Sequence, residues 1–214
     1  MGQCVSARVR LVKPLDLRYA AAMNEIEVRT RHFSRLEYER LLDGGTLGPE
    51  ERFELIGGHL VARAPQRDTH ATGADLAAAA LQKAFGFGYR VRVQLPLALD
   101  DDSEPEPDVS VVRGSLAQAD RTLSARPDLV VEVAESSLTF DRREKASLYA
   151  RARVEDYWIV NLVSRVLEVF RDPVADPGAP YGWRYSRTRI LTGADVVFPV
   201  GAPLSRIPIS ALLP

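Results

Sequence analysis

Two carboxylates and one lysine stand in the middle of the chain with a spacing that can support phosphoryl chemistry. Asp108 heads the apolar run DVSVVR, Glu132 sits inside LVVEVA, and Lys145 follows in DRREKASLYA. Acids at adjoining strand ends with a nearby lysine make a workable site for a divalent cation and an activated water. Oxygen donors suit Mg²⁺ or Mn²⁺ better than metals that prefer imidazole or thiolate. Glu54, at the start of the short run FELI, could supply a further acid. Plainer readings stand beside these. Asp108 also fits a turn carboxylate after the acidic loop DDDSEPE, Glu54 a solvated strand end, and Lys145 a side chain snorkelling to solvent. Glu132 is harder to place innocently, because a carboxylate among apolar neighbours in a core strand needs an ion or a cationic partner. A structural ion pair with an arginine and a metal role are the two alternatives.

Other residue types point elsewhere. Asp141 reads as a helix cap, and His70 as a cap or packing residue at a helix start. His32, His59 and His70 have no HExxH spacing, and the chain contains no GxSxG elbow and no P-loop. The glycines at 86 and 88 do not form a dinucleotide fingerprint, since no third glycine follows and the order is helix then strand. Of 28 cationic residues three are lysines, Lys13, Lys83 and Lys145, so a lysine in the suspect segment carries some weight. Lysine is a compact charge whose pKa can move, unlike arginine.

The elements that must position these residues follow from periodicity and turn chemistry. Ser34-x-x-Glu37 is a capping box before LEYERLL, with Gly44-Gly45 as the stop. Residues 53–64 read as two short strands around Gly57-Gly58, a primed hairpin turn. Residues 70–85 form an alanine-rich helix able to lie close against a sheet. Residues 89–99 alternate as a half-buried strand. Residues 107–113 and 129–134 are the central strands, and 141–153 a helix with Asp141 and Glu144 as a second capping pair. Residues 156–162 and 166–170 form a hairpin, followed by a Pro/Gly loop. Strands mixed with few helices predict an α/β (α+β) fold with a mixed central β-sheet flanked by helices.

At 214 residues with 46 % hydrophobic and 27 % charged residues, the chain has ordinary globular composition and enough length for a full core. Residues 1–30 read as a flexible arm and 31–214 as a single domain. MGQCVS fits a myristoylation pattern at Gly2, and Met23 is a plausible alternative start; a disordered arm explains the segment more simply. A net charge of −1 excludes a global basic field, so nucleic acid must be met by a local patch. The single cysteine, Cys4, excludes an internal disulfide and fits a reducing, cytoplasmic setting. No apolar run approaches the roughly 18 residues of a membrane span.

From residue 33 to residue 171 the chain resembles the Uma-type restriction-endonuclease-like family, a bacterial branch of the PD-(D/E)XK nuclease superfamily. The residues that carry the likeness are Phe53-Glu54-Leu55-Ile56, His70, Pro107-Asp108, Pro127-Asp128-Leu129-Val130-Val131-Glu132-Val133 with Glu135-Ser136-Ser137, Asp141, Lys145, Leu148-Tyr149-Ala150 and Asp156-Tyr157-Trp158-Ile159-Val160. The superfamily pattern expects a lysine two residues after the second acid, where this chain has Ala134. The resemblance implies that Lys145 on the following helix takes its place. It implies further that Asp108, Glu132 and the Val133 carbonyl hold Mg²⁺ or Mn²⁺, that Lys145 orients or deprotonates the attacking water, and that Glu54 sits at the metal's edge. Gly57 and His59 stand where the family has acids, which bears on a second metal.

The implied activity is metal-dependent endonucleolytic hydrolysis of DNA by a homodimer. Arg63, Arg67, Arg142, Arg143, Arg151 and Arg153 would have to supply the basic rim. A competing reading is a catalytically silent nuclease fold acting as a dimeric DNA-binding or interaction module; a third is a nuclease on RNA. The segment DYWIVNLVSRVLEVF reads either as an association hairpin or as core sheet.

Overall fold

The near-continuous apolar run 129–134 sets the centre of the molecule, because both faces of that strand are covered. The protein is described from a computed structural model, over residues 31–47, 52–63, 65–114 and 126–214. The expectations for Gly2, Cys4, Met23 and the arm 1–30 lie outside these residues. Helix α1 (Arg35–Asp43) is followed by the hairpin β1 (Phe53–Ile56) and β2 (His59–Ala62), then by α2 (Asp68–Phe85). A six-stranded sheet comes next, with β3 (Tyr89–Val93), β4 (Val109–Arg113), β5 (Leu129–Ala134), β6 (Asp156–Asn161), β7 (Val166–Ala175) and β8 (Trp183–Leu191) side by side in that order. Every neighbouring pair is antiparallel except β5–β6, which is parallel. A parallel pair needs a crossover, and the helix 138–151 provides it. This is the mixed sheet with flanking helices that the pattern predicts.

The period of two along β5 divides the core. Leu129, Val131 and Val133 face α2 and pack with Ala74, Ala77, Leu81 and Trp158. Val130 and Ala134 face the crossover helix, packing with Ala146, Tyr149, Ala150 and Tyr157. Burying each Val or Leu stabilises by roughly 1.5–3 kcal/mol, so Glu132, on the crossover-helix face, is the costly exception. Small residues let α2 approach closely. A Cβ on Gly73 would stand 3.0 Å from Val133 Cγ1.

Local signals place the periphery. Glu37 N–H donates to Ser34 Oγ at 3.3 Å and Ser34 N–H to Glu37 Oε2 at 3.0 Å, completing the capping box. Gly57 and Gly58 have φ of +54° and +78°, the left-handed pair that a primed hairpin turn demands. That turn is fastened by Phe33 N–H to Gly58 O at 2.8 Å and Gly58 N–H to Asp102 O at 2.7 Å.

Several boundaries differ from expectation by a residue or two, and three differ for a visible physical reason. The strand read over 89–99 ends at Val93, because Gln94 takes φ of +49° and turns the chain out of the ladder; its N–H then donates to Asp108 O at 3.1 Å. The Pro/Gly loop read after Arg171 begins only at Asp176, since β7 runs on through Pro173 to Ala175. Proline is tolerated there because β7 pairs with β6 only as far as Arg171, and beyond it with β8 alone. The crossover helix starts at Leu138, not Asp141, and runs Leu138–Phe140, a π turn Asp141–Lys145, then Ala146–Arg151. The segment 156–170 is core sheet: Tyr157, Trp158, Ile159 and Val160 are fully buried, and β6 has a partner on each side. Among the described residues no helix is long and apolar enough to cross a membrane.

Candidate active site

Register brings the two acids together. Val109 of β4 faces Val131 of β5, so one step further along the antiparallel pair sets Asp108 opposite Glu132 on the same face of the sheet. Glu54 arrives from β1, whose Leu55 bonds Glu104 in both directions, at 3.4 and 2.8 Å. The crossover helix contributes a stripe at four-residue spacing, Ser137, Asp141, Lys145 and Tyr149, which the π turn keeps facing the sheet. π turns of this kind often mark functional positions. Helix α2 contributes His70 from its first turn.

The resulting cluster is dense in charge and shielded from water. Glu54, Asp108, Glu132, Asp141 and Lys145 are all buried. Lys145 Nζ lies 2.9 Å from Glu132 Oε1 and 3.0 Å from Glu54 Oε2. Tyr149 donates its hydroxyl to the same Glu132 oxygen at 2.8 Å. Asp108 Oδ2 accepts the Val133 N–H at 2.8 Å and lies 3.1 Å from His70 Nε2. Arg63 spans three acids, with Nε 3.0 Å from Glu54 Oε1, Nη1 on Glu106 and Nη2 3.7 Å from Asp108 Oδ1. Ser137 Oγ donates to Asp141 Oδ2 at 2.6 Å. A cleft of about 620 Å³ opens over these groups, lined also by Val61, Pro65, Arg67 and Phe140.

Electrostatics follow from burial and neighbours. Burial pushes the Glu132 carboxyl up to about 8, against the opposing pull of Lys145, with Asp108, Asp141 and Glu54 adding to the rise. Asp141 is likewise raised by burial, to about 6. Burial would lower Lys145, but the charges of Glu132, Glu54 and Asp141 outweigh it and hold the ammonium above its ordinary range. At Asp108 burial is outweighed by the His70 bond and charge, the Val133 N–H and Lys145, so the carboxyl is held low. His70 is raised, chiefly by its bond to Asp108.

The donors can be tested against a divalent cation. Asp108 Oδ1 is buried without a hydrogen-bond partner, an oxygen left unsatisfied in a site of carboxylates. In an extended strand the N–H and C=O of one residue point to the same side, so the Val133 carbonyl shares the Asp108 side with the N–H that Asp108 accepts. It is near enough to His70 to favour the imidazole's proton. Five carboxylates line the cleft (Glu54, Asp108, Glu132, Glu135, Asp141) against three cations (Arg63, Arg67, Lys145). The chemistry is hard oxygen with a surplus of negative charge, which fits Mg²⁺ or Mn²⁺. Among the described residues no three such groups form a ready-made metal cage, and Lys145 stands between two of the acids. Mg²⁺ does not need a full cage, since it keeps several waters and takes one or two carboxylates.

Of the residues singled out from sequence, Asp108, Glu132, Val133, Glu54 and Lys145 meet in one cleft. Glu54 is not a solvated strand end, and Lys145 does not snorkel. Asp141 is not a cap but a buried member of the cluster. His70, read as a cap or packing residue, and Tyr149, read only as part of the family likeness, enter it as hydrogen-bond partners of Asp108 and Glu132. The expected arginine rim does not form as a unit. Arg63 is ion-paired inside the cleft, and Arg67 is exposed at its mouth beside Glu135. Elsewhere Arg142 binds Glu168, Arg151 binds Asp100 and Asp102, and Arg153 lies 3.8 Å over the Trp183 ring. Gly57 and His59 do not line the cleft. A Cβ on Gly57 would meet Tyr181 Cε1 within van der Waals contact, so a larger residue there requires Tyr181 to move. His59 is exposed and packs edge-on to His32 at 4.4 Å.

Among solved structures the chain is similar to the crystal structure of a "putative nuclease belonging to DUF820" from Anabaena variabilis ATCC 29413. Identity is 14 %, the TM-score is 0.59, and the match covers 84 % of this chain and 97 % of that one. The fold is therefore nuclease-like. Residues 35–201 match the model of the Uma2 family, described as "Putative restriction endonuclease", and the chain belongs to that family. No curated protein matches it.

Proposed function

We propose that the protein is a divalent-cation-dependent endonuclease that hydrolyses DNA phosphodiester bonds. The observation that supports this best is the meeting of Asp108 and Glu132 across facing register positions, with Lys145 between Glu132 and Glu54 under an open cleft. Asp108, Glu132 and the Val133 carbonyl would hold Mg²⁺ or Mn²⁺, with Glu54 at the edge. The cation, when bound, supplies charge stabilisation of the scissile phosphate and a more acidic water.

The chain's own residues do the rest. His70 and the Val133 N–H fix the Asp108 carboxylate, and Tyr149 fixes Glu132. Lys145, once its carboxylates face a cation, has an ammonium aimed at the cleft that can orient the attacking water and neutralise the developing phosphate charge. Arg63 and Arg67 are the described cationic side chains, besides Lys145, that reach the cleft and can meet a phosphate.

Calorimetric titration of Mn²⁺ into the wild type, Asp108→Ala and Lys145→Ala tests this, with cleavage of supercoiled and single-stranded DNA in parallel. Binding and cleavage are both expected in the wild type and both lost in Asp108→Ala. Lys145→Ala should bind the cation and lose cleavage by about 10²–10⁴-fold. A second reading, a silent nuclease fold that binds DNA or a partner, is favoured by the ion pairs that already satisfy Glu54 and Glu132. Absence of binding at millimolar cation together with absence of cleavage would establish it over the first.

A further inference from the structure

Phe140 puts a phenyl ring on the wall of the cleft, yet it packs into neither apolar cluster of the described residues. Val61, Ala62 and Pro65 line the cleft with it and also belong to neither cluster. An apolar wall unused by the core thus shares a cleft with a buried acid cluster. Glu54, Asp108 and Glu132 are 4 %, 3 % and 4 % exposed, so a phosphodiester can reach them only by entering the cleft that these apolar residues also line. In a stacked duplex the faces of the bases are covered by their neighbours and offer an aromatic wall nothing to pack on. An unpaired nucleotide offers a bare π face, and stacking on an aromatic side chain contributes strongly to single-strand binding. A cleft of about 620 Å³ is within the range that encloses a small-molecule-sized group. The net charge of −1 provides no broad field for gripping duplex backbone.

We infer that the segment cut at this site is unpaired, and that Phe140 is the platform on which one of its bases stacks. This rests on the nuclease reading above. The test uses the full chain with Mg²⁺ or Mn²⁺ and one DNA sequence presented as a single strand, as a flap on a duplex and as a blunt duplex. Single strand and flap are expected to be cut at least about ten-fold faster than blunt duplex. Phe140→Ala should slow cutting of the unpaired substrates by about ten-fold, within the range expected for one lost stacked base, and Phe140→Trp should restore it. In parallel, 2-aminopurine placed in the single strand should lose fluorescence on binding the wild type and Phe140→Trp but not Phe140→Ala. Equal cutting of duplex and unpaired DNA, or an unaffected Phe140→Ala, overturns this inference and leaves the nuclease reading intact. Failure to bind or cut any of the three substrates overturns both.

Discussion

Asp108 and Asp156 look alike in sequence, each an acid at the head of an apolar strand, and both are buried. Their surroundings are opposite. Asp156 is closed: Oδ1 accepts from Trp158 Nε1 at 2.7 Å and Arg171 Nε at 2.8 Å, and Oδ2 from Arg171 Nη2 at 3.1 Å and Val200 N–H at 2.8 Å. Asp108 has one oxygen engaged by Val133 and His70 and the other with no hydrogen bond. The first carboxylate has its charge matched by a bidentate arginine and its lone pairs filled. The second sits among further acids under an open cleft. Burial alone does not separate these two acids; satisfaction does.

The sharpest test of that contrast is stability in the presence of a chelator. Asp156→Ala strips Arg171 of its carboxylate and removes four hydrogen bonds, leaving Arg171 Nη2 only the Phe198 carbonyl, and should destabilise by about 3–5 kcal/mol. Asp108→Asn keeps an acceptor for the Val133 N–H and loses only the charge that His70 and Lys145 favour, and should cost less, about 1–2 kcal/mol. Urea unfolding of both variants measures the difference, and similar losses would break the comparison.

A smaller effect should appear with pH. The raised Glu132 value means the fold favours the protonated carboxyl. That contribution to stability is fully present below the ordinary value of 4.5 and is lost as pH rises through about 8. Lys145, held above its ordinary range, keeps its proton across this window. In chelator the wild type should therefore lose stability between about pH 4.5 and 8, and Glu132→Gln should flatten that slope. An unchanged slope in the variant would assign the titration elsewhere.

The smallest effect is expected at the mouth of the cleft. Arg67 pairs with Glu135 at 3.1 Å, but its side chain is 77 % exposed. Arg67→Ala should alter stability by no more than about 0.5 kcal/mol, measured in the same unfolding series. A larger loss would place Arg67 among the closed ion pairs rather than at an open rim.

Much of the frame was legible in the sequence because its causes are local. The capping box at Ser34 and Glu37 and the primed turn at Gly57-Gly58 each depend on a few adjacent residues, and the apolar run of 129–134 marks one core strand. Errors came where a local pattern was interrupted by a backbone choice. The alternation after Val93 continues on paper, but Gln94 in a left-handed conformation ends the strand. Asp141 and Glu144 have capping spacing, yet the helix has already begun at Leu138, so Asp141 turns inward.

By itself the sequence determined most of the elements and the placing of a costly carboxylate, Glu132, in a core strand buried on both faces. Tertiary structure alone decided what that carboxylate meets. Lys145 and Glu54 are separated by 91 positions, and Arg63, His70 and Tyr149 reach the same few ångströms from a hairpin end and two different helices. Backbone periodicity is set by neighbours along the chain. Charge pairing between distant segments is set by strand register, by the crossover of a parallel pair and by the close approach of α2, and these exist only once the sheet is assembled.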